Sequence, residues 1–345
     1  MNAPVRVRVL GLGMIAPGAL RPARALEPPV EPFPGWFDAE ALLPGRGYRK
    51  LPPACRYLLA AARSALDDTG TWFAGLPPQD RAAVIGGNNA GAALQDDFDR
   101  TVIATGAADL SPARVPYMAL SMFGGRLAPE HGLQALVLTT NSPAVAGLEA
   151  VQTAARALAA GRATAVLAGA VEDRPAPVQG GGSAHDLGAA VLVCVQEGVP
   201  VAGERAYGHC SVRGAFVGAA GGVPETSDVL DPLWKELLAD GRPVARIDAV
   251  LDDSPAGAAV AGWLAARAGD RAVTILTRPP GSGSLAPLRR VVGRMAAGTA
   301  ERAVVLAVST HGHVSIADVL PGTANPYTST EQASPTPKGR TPWQP

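Results

Sequence analysis

The sequence predicts a layered α/β protein made of two successive halves, and three observations carry that prediction. Short apolar runs bounded by glycine alternate with stretches whose apolar residues recur at helical spacing, the pattern of buried strands joined by helices. The alternation stops near Gly198–Glu204 and then starts again. Hydrophobic residues make up 47% of the 345 and charged residues only 17%, ample apolar material for a core of domain size or larger.

In chain order, Val5–Leu10 reads as a strand that ends in a tight turn at Gly11-Leu12-Gly13, and a Pro-rich connector covers Pro17–Gly47. Leu58, Leu59, Ala62 and Leu66 keep helical spacing within Pro53–Thr69, and Gly70 suits the C-cap. Ala82–Ile85 is a buried strand closed by Gly86-Gly87; Ala90–Thr105 is helical; Pro112–Leu127 is helical in part. Leu133–Thr140 is a strand, and Asn141-Ser142-Pro143 opens a helix to about Ala160, with Ser142 as N-cap and Pro143 at the first helical position. Strands Ala163–Ala170 and Gly188–Gln196 complete the first half, residues 1–200. The second half, 201–320, repeats the alternation: strand Cys210–Val217, helix Asp228–Ala239, strand Val244–Leu251, helix Ala256–Ala268, strand Ala272–Thr277, helix Leu285–Ala297, and strands Ala303–Ser309 and His313–Val319. The Pro/Ser/Thr-rich stretch 321–345 has no periodicity and is expected to be disordered.

Composition excludes several classes of function. Thirty basic residues balance thirty acidic ones, and the arginines are scattered, so no nucleic-acid footprint exists. No apolar run approaches the roughly 20 residues of a membrane span, and the charged-then-apolar order of a signal peptide is missing, which predicts a cytoplasmic protein. Cys55, Cys194 and Cys210 are too few and too dispersed for a disulfide framework or a zinc site.

Several segments, in order, resemble the β-ketoacyl synthase family: Val9-Leu10-Gly11-Leu12-Gly13-Met14-Ile15, the helix Ala61–Gly70, Ile85-Gly86-Gly87-Asn88-Asn89, Leu110-Ser111-Pro112-Ala113-Arg114-Val115-Pro116, the elbow from Leu138-Thr139-Thr140 to Gly147-Leu148-Glu149-Ala150, and Leu167-Ala168-Gly169-Ala170-Val171-Glu172. The resemblance covers roughly residues 5 to 320 and implies a thiolase-like, five-layered αβαβα fold with two pseudo-repeated halves. It also implies that the cap between Glu172 and Gly188 is shortened, at 173–187.

An active ketosynthase needs a Cys thiolate at a helix N-terminus and two histidines that donate to the thioester carbonyl. By this resemblance the nucleophile position falls on Ala144, the first histidine on Asp253 and the second on Ser282, while Val308–His313 replaces a Gly-Phe-Gly-Gly loop. Four losses at four strand ends imply a chain-length factor: a non-catalytic subunit that pairs with an active ketosynthase and shapes the acyl tunnel of type II polyketide or polyene synthesis. The resemblance places tunnel and chain-length positions at Asn88, Asn89, Ala92, Ala93, Asp96 and Phe98, and the heterodimer strand at Ala135, Leu136, Val137, Leu138, Thr139 and Thr140. No cofactor is expected on this chain itself; a phosphopantetheine-bearing acyl carrier protein would dock mainly on the partner.

The residues also admit other readings. The positions after the second strand could be a plain packing face, and Ala135–Thr140 a strand buried in a monomer. Ser142, His311 and His313 could serve a stand-alone acyltransferase or decarboxylase, although Ser142 suits capping better and two histidines without a third ligand make no metal site. Asp252-Asp253 beside Ser254 suits the cap of a helix beginning near Pro255, and a homodimeric acyl-binding protein is a third possibility.

Overall fold

The computed structural model describes residues 5–45, 47–174, 187–201, 206–218 and 222–322. Among these lie ten strands, β1 (Val7–Ile15), β2 (Arg81–Gly86), β3 (Leu136–Thr140), β4 (Ala165–Glu172), β5 (Gly188–Gln196), β6 (Gly208–Phe216), β7 (Arg246–Asp252), β8 (Ala272–Arg278), β9 (Ala303–Val308) and β10 (His313–Pro321). Six longer helices join them: α1 (Pro53–Asp67), α2 (Ala92–Ala104), α3 (Ala146–Ala159), α4 (Val223–Leu237), α5 (Pro255–Ala265) and α6 (Leu285–Ala296).

The strand order β3-β2-β4-β5-β1-β6-β10-β9-β7-β8 contains one motif twice. In the first half β2 pairs parallel with β3 and β4, and β5 pairs antiparallel with β4 and β1. In the second, β7 pairs parallel with β8 and β9, and β10 pairs antiparallel with β9 and β6. The sheet passes from one half to the other where β1 pairs with β6, at Val7↔Cys210, Arg8↔His209 and Val9↔Gly208. β3 and β8 are therefore equivalent outer edges.

Alternation along the strands builds the layers, because successive side chains point to opposite faces. Ala190, Leu192 and Cys194 face a middle core that also holds α3, α6 and, from the other half, Ala303, Val305 and Ala307. Ala189, Val191 and Val193 face α1 on the outside of the first half, whereas Val304, Leu306 and Val308 face Trp234 and Trp263 of α4 and α5. The result is the five-layered thiolase-like arrangement with two pseudo-repeated halves that the sequence predicts.

Several local expectations change. Gly11-Leu12-Gly13 is not a turn: β1 shifts register between Val9 and Gly11 and continues to Ile15 paired with β5. A Cβ at Gly11 would lie 2.0 Å from the Ala65 carbonyl oxygen, and one at Gly13 only 1.8 Å from that of Ala61, so these glycines let α1 lie directly on the strand. α4 begins at Val223 rather than Asp228, with Pro224 in its first turn, where a missing N–H costs no hydrogen bond. β3 begins at Leu136, and β10 runs on to Pro321. Of the expected short cap, residues 175–186 lie outside the described residues, as does most of the expected disordered tail, from 323 on.

Two predictions follow from this packing. Gly13→Ala is expected to cost about 3 kcal/mol, because backbone rather than a flexible side chain opposes the new methyl; urea denaturation against wild type measures it. At the end of the short helix Leu127–His131, burial pushes the His131 imidazole from 6.5 down to about 4. The unfolded chain takes up that proton first, so stability is complete above about pH 6.5 and declines as pH falls toward about 4. His131→Leu should flatten that decline in stability–pH curves.

Candidate functional site

Around the ends of strands β3, β7, β8 and β9 lies a cavity of about 10 Å3, lined among others by Pro143, Ala144, Asp252, Arg278, Ser282 and Thr310. That is room for about one water molecule.

The elbow between β3 and α3 sets one wall. Ala144 has φ +60°, the one non-glycine residue with a left-handed backbone among those described, a conformation that costs an L-residue roughly 1–2 kcal/mol. Its surroundings hold it there. The Ala144 amide donates to the Ser282 carbonyl at 3.1 Å, and Thr140 Oγ1 donates to the Ala146 carbonyl at 3.1 Å. The start of α3 is wedged tightly: a Cβ on Gly86 would lie 2.3 Å from the Ala146 carbonyl oxygen, and one on Gly147 2.7 Å from that of Ser284. This crowding delays the helix to Ala146, with Val145 at the cap and no side-chain capping bond. Ser142 is thus not the N-cap that the Ser-Pro pair suggests.

Glu172, at the end of β4 and fully buried, ties two loops together. Its Oε1 accepts from the amides of Asn88 (2.8 Å) and Ser284 (2.7 Å) and from Ser284 Oγ (2.8 Å), and its Oε2 accepts from the Asn89 amide (2.6 Å). Asn88 Nδ2 adds a bond to the Gly281 carbonyl at 3.0 Å. Asn88 and Asn89 therefore belong to a polar clamp between the two halves. Nearby, Ala92 and Ala93 open α2 half-buried, and Asp96 pairs with Arg100. Phe98 turns into the outer core with Leu94, Tyr117 and Phe123, its ring 5.5 Å from the Arg114 guanidinium.

At the end of β7 the carboxylate that reaches the cavity is that of Asp252, while Asp253 is exposed. Parity along the strand decides this: Asp248 and Val250 face the middle layer, Asp248 to meet Arg290 and Arg294 of α6, so Asp252 points inward and Asp253 away. Asp252 Oδ2 accepts from Thr310 Oγ1 at 2.7 Å, and Oδ1 accepts from the Ser254 amide at 3.1 Å and from the Ser254 hydroxyl. Ser254 Oγ in turn accepts from the Gly257 amide at 3.1 Å. The cap of α5 is accordingly Ser254, with Asp252 orienting its hydroxyl and Asp253 taking no part. Ser282 closes its own turn by donating to the Pro279 carbonyl at 2.6 Å.

His311, His313 and Ser142 do not line this cavity. His311 is exposed, His313 Nε2 lies 3.1 Å from Glu149 Oε1, and Ser142 is half-buried outside the lining. Among the described residues no group of three or more His, Cys, Asp or Glu side chains could hold a metal ion. The sequence reading missed the clamp role of Glu172 and the inward position of Asp252; the ending of both residues on buried strands, with Glu172 following a fully apolar run, was the available signal.

Residues 35–185 match the β-ketoacyl synthase N-terminal domain. The 3-oxoacyl-[acyl-carrier-protein] synthase 2 of Vibrio cholerae is 28% identical over 142 residues, which span 41% of this chain and 34% of that relative; the corresponding synthase of Vibrio harveyi matches with the same identity and extent. The chain thus aligns with about a third of the length of these curated relatives. Among solved structures, a type II PKS acyl-carrier protein in complex with its ketosynthase bound to the hexaketide aligns with TM-score 0.72 at 16% identity, covering 92% of this chain and 99% of that one. The ishigamide ketosynthase/chain length factor aligns with TM-score 0.66 at 20% identity, covering 92% and 100%. The chain has the thiolase-like fold of these ketosynthase structures, and its residues 35–185 are similar to the ketosynthase N-terminal domain. More narrowly, it resembles the ketosynthase and chain-length-factor chains of type II polyketide synthases.

Because Glu172 holds both halves, Glu172→Ala is expected to lower stability by roughly 3–5 kcal/mol, through the buried amides it leaves without an acceptor. Chemical denaturation of the purified variant measures this.

Proposed function

We propose that the chain is a chain-length factor, a subunit that makes no acyl-enzyme and pairs with an active ketosynthase. One observation carries this reading: the strained elbow is kept, yet it presents only the Ala144 methyl, and its amide, the group that would face a developing oxyanion, is occupied by the Ser282 carbonyl at 3.1 Å. A cavity of about 10 Å3 leaves no room there for an acyl chain.

The partner surface is the β3 edge, with the stretch Ala135–Thr140 along it. Leu138 is 47% exposed, and the helix Ser121–Gly125 packs beside the strand, bringing exposed Met122 near it. An apolar edge with no charged guard residue suits a permanent partner. In this reading the partner's Cys carries the growing chain and a phosphopantetheine-bearing acyl carrier protein docks mainly on that partner. In this reading Ala92 and Ala93, half-buried at the start of α2 after Asn88 and Asn89, are positions where a bulkier side chain would shorten the product, with Asp96 and Phe98 further along the same helix. This subunit needs no cofactor of its own.

The test is a gentle pull-down of the tagged chain from its native host, with mass spectrometry of what elutes at dimer size. A stoichiometric Cys-containing ketosynthase is expected; recovery of the chain alone overturns the proposal. Leu138→Lys is expected to weaken that complex at least 30-fold while changing the chain's own stability by under about 0.5 kcal/mol, since the side chain already meets water.

A further inference from the structure

The second outer edge, β8, stands open in a different way from β3. It pairs with β7 alone, and Ala272, Val273, Thr274, Ile275 and Thr277 are all exposed, Ile275 to 51% and Val273 to 36%. Natural edge strands are commonly guarded by a lysine, a proline or an inward charge. Between Arg271 and Arg278 this one carries no charged residue and no proline.

The sequence of β8 is complementary to itself. Two copies related by a two-fold axis normal to the sheet keep every residue on its own face, so the centre of an antiparallel pairing must fall on a residue. Centred on Val273, the pairing would set Ile275 against Arg271. Centred on Ile275, it would leave Val273 against Thr277. Centred on Thr274, it sets Val273 of each copy against Ile275 of the other, twice, matching the two exposed apolar side chains. The same register sets Ala272 against Leu276 and places the sequence position of Arg271 opposite Thr277, so no two like charges are directly opposed.

We propose that two copies of this chain associate through β8, antiparallel and centred on Thr274. The surface is distinct from the β3 edge, so the inference does not depend on a ketosynthase partner. If both edges are used, two heterodimers join through this chain at the centre of the assembly.

The register makes a sharp test. Directly opposed residues in an antiparallel pair have Cα atoms about 4.5–5.5 Å apart, within disulfide range, whereas residues offset by two positions lie about 8 Å apart, beyond it. The full-length Thr274→Cys variant is expected to form an intermolecular disulfide on mild oxidation, and Ile275→Cys is not. Cys55, Cys194 and Cys210 are buried and should not compete. In parallel, sedimentation of the folded Ile275→Lys variant should show half the particle mass of wild type, while Leu138→Lys should keep β8-linked mass. Failure of Thr274→Cys to cross-link, together with an unchanged mass for Ile275→Lys, overturns the proposal. Cross-linking of Ile275→Cys in place of Thr274→Cys overturns the register and with it the argument. Retention of this behaviour in a chain that recovers no ketosynthase would sink the partner reading and leave this one standing.

Discussion

The buried Glu172 carboxylate is the constraint on which the site depends. It sits at the last position of β4 and takes amides from the loop after β2 and from the loop before α6, one in each half of the molecule. A charge in a fully buried position is tolerable only when its acceptor capacity is filled, and charge-assisted bonds to backbone amides fill it. The loop 281–284 is held in place by that bond, and from there its Ser282 carbonyl reaches the Ala144 amide. Clamp and blocked elbow are thus one linked arrangement.

Close backbone approach is the second determinant. Gly11 and Gly13 let α1 rest on β1, Gly86 and Gly147 let α3 begin against β2 and the 284 carbonyl, and Gly257 lets α5 begin against the Asp252 carbonyl, 2.2 Å from where a Cβ would be. In a fold whose middle helices are shared by the two halves of the sheet, each half must accept helices at short range on both faces, and glycine is the residue that allows it. The energetic consequence is asymmetric: a methyl added at these places has backbone as its obstacle, whereas many exposed glycines have open space.

Charges inside the second half are used to brace rather than to react. Asp248 meets Arg290 and Arg294 on α6, and Arg302 meets Asp318 across β9 and β10 with bonds of 2.7 and 3.0 Å. Burial alone would raise the Asp248 carboxyl, but the two arginines hold it below the usual carboxylate range. Each pair ties a strand to the element packed on it. Asp252, on the same strand face as Asp248, is spent in the same way on Ser254 and Thr310. Ser282 and Thr310, which also line the cavity, are likewise engaged in hydrogen bonds.

By itself the sequence determined the alternation of strands and helices and the two halves, because these rest on side-chain type and on periods of 2 and 3.6 that local reading detects. Most helix and strand positions were legible on that basis. Local reading failed where a contact distant in sequence outweighs local chemistry: Gly11-Leu12-Gly13 looks like a turn until α1 is laid on it, and Ser142-Pro143 looks like a helix start until β2 and the 284 loop crowd the elbow. Local reading also leaves open which of Asp252 and Asp253 turns inward, since strand parity is set only once β7 is docked against α6. Tertiary structure alone decided that Glu172 joins the halves and that the Ser282 carbonyl fills the Ala144 amide, because both bonds connect groups more than a hundred residues apart, which no local pattern encodes.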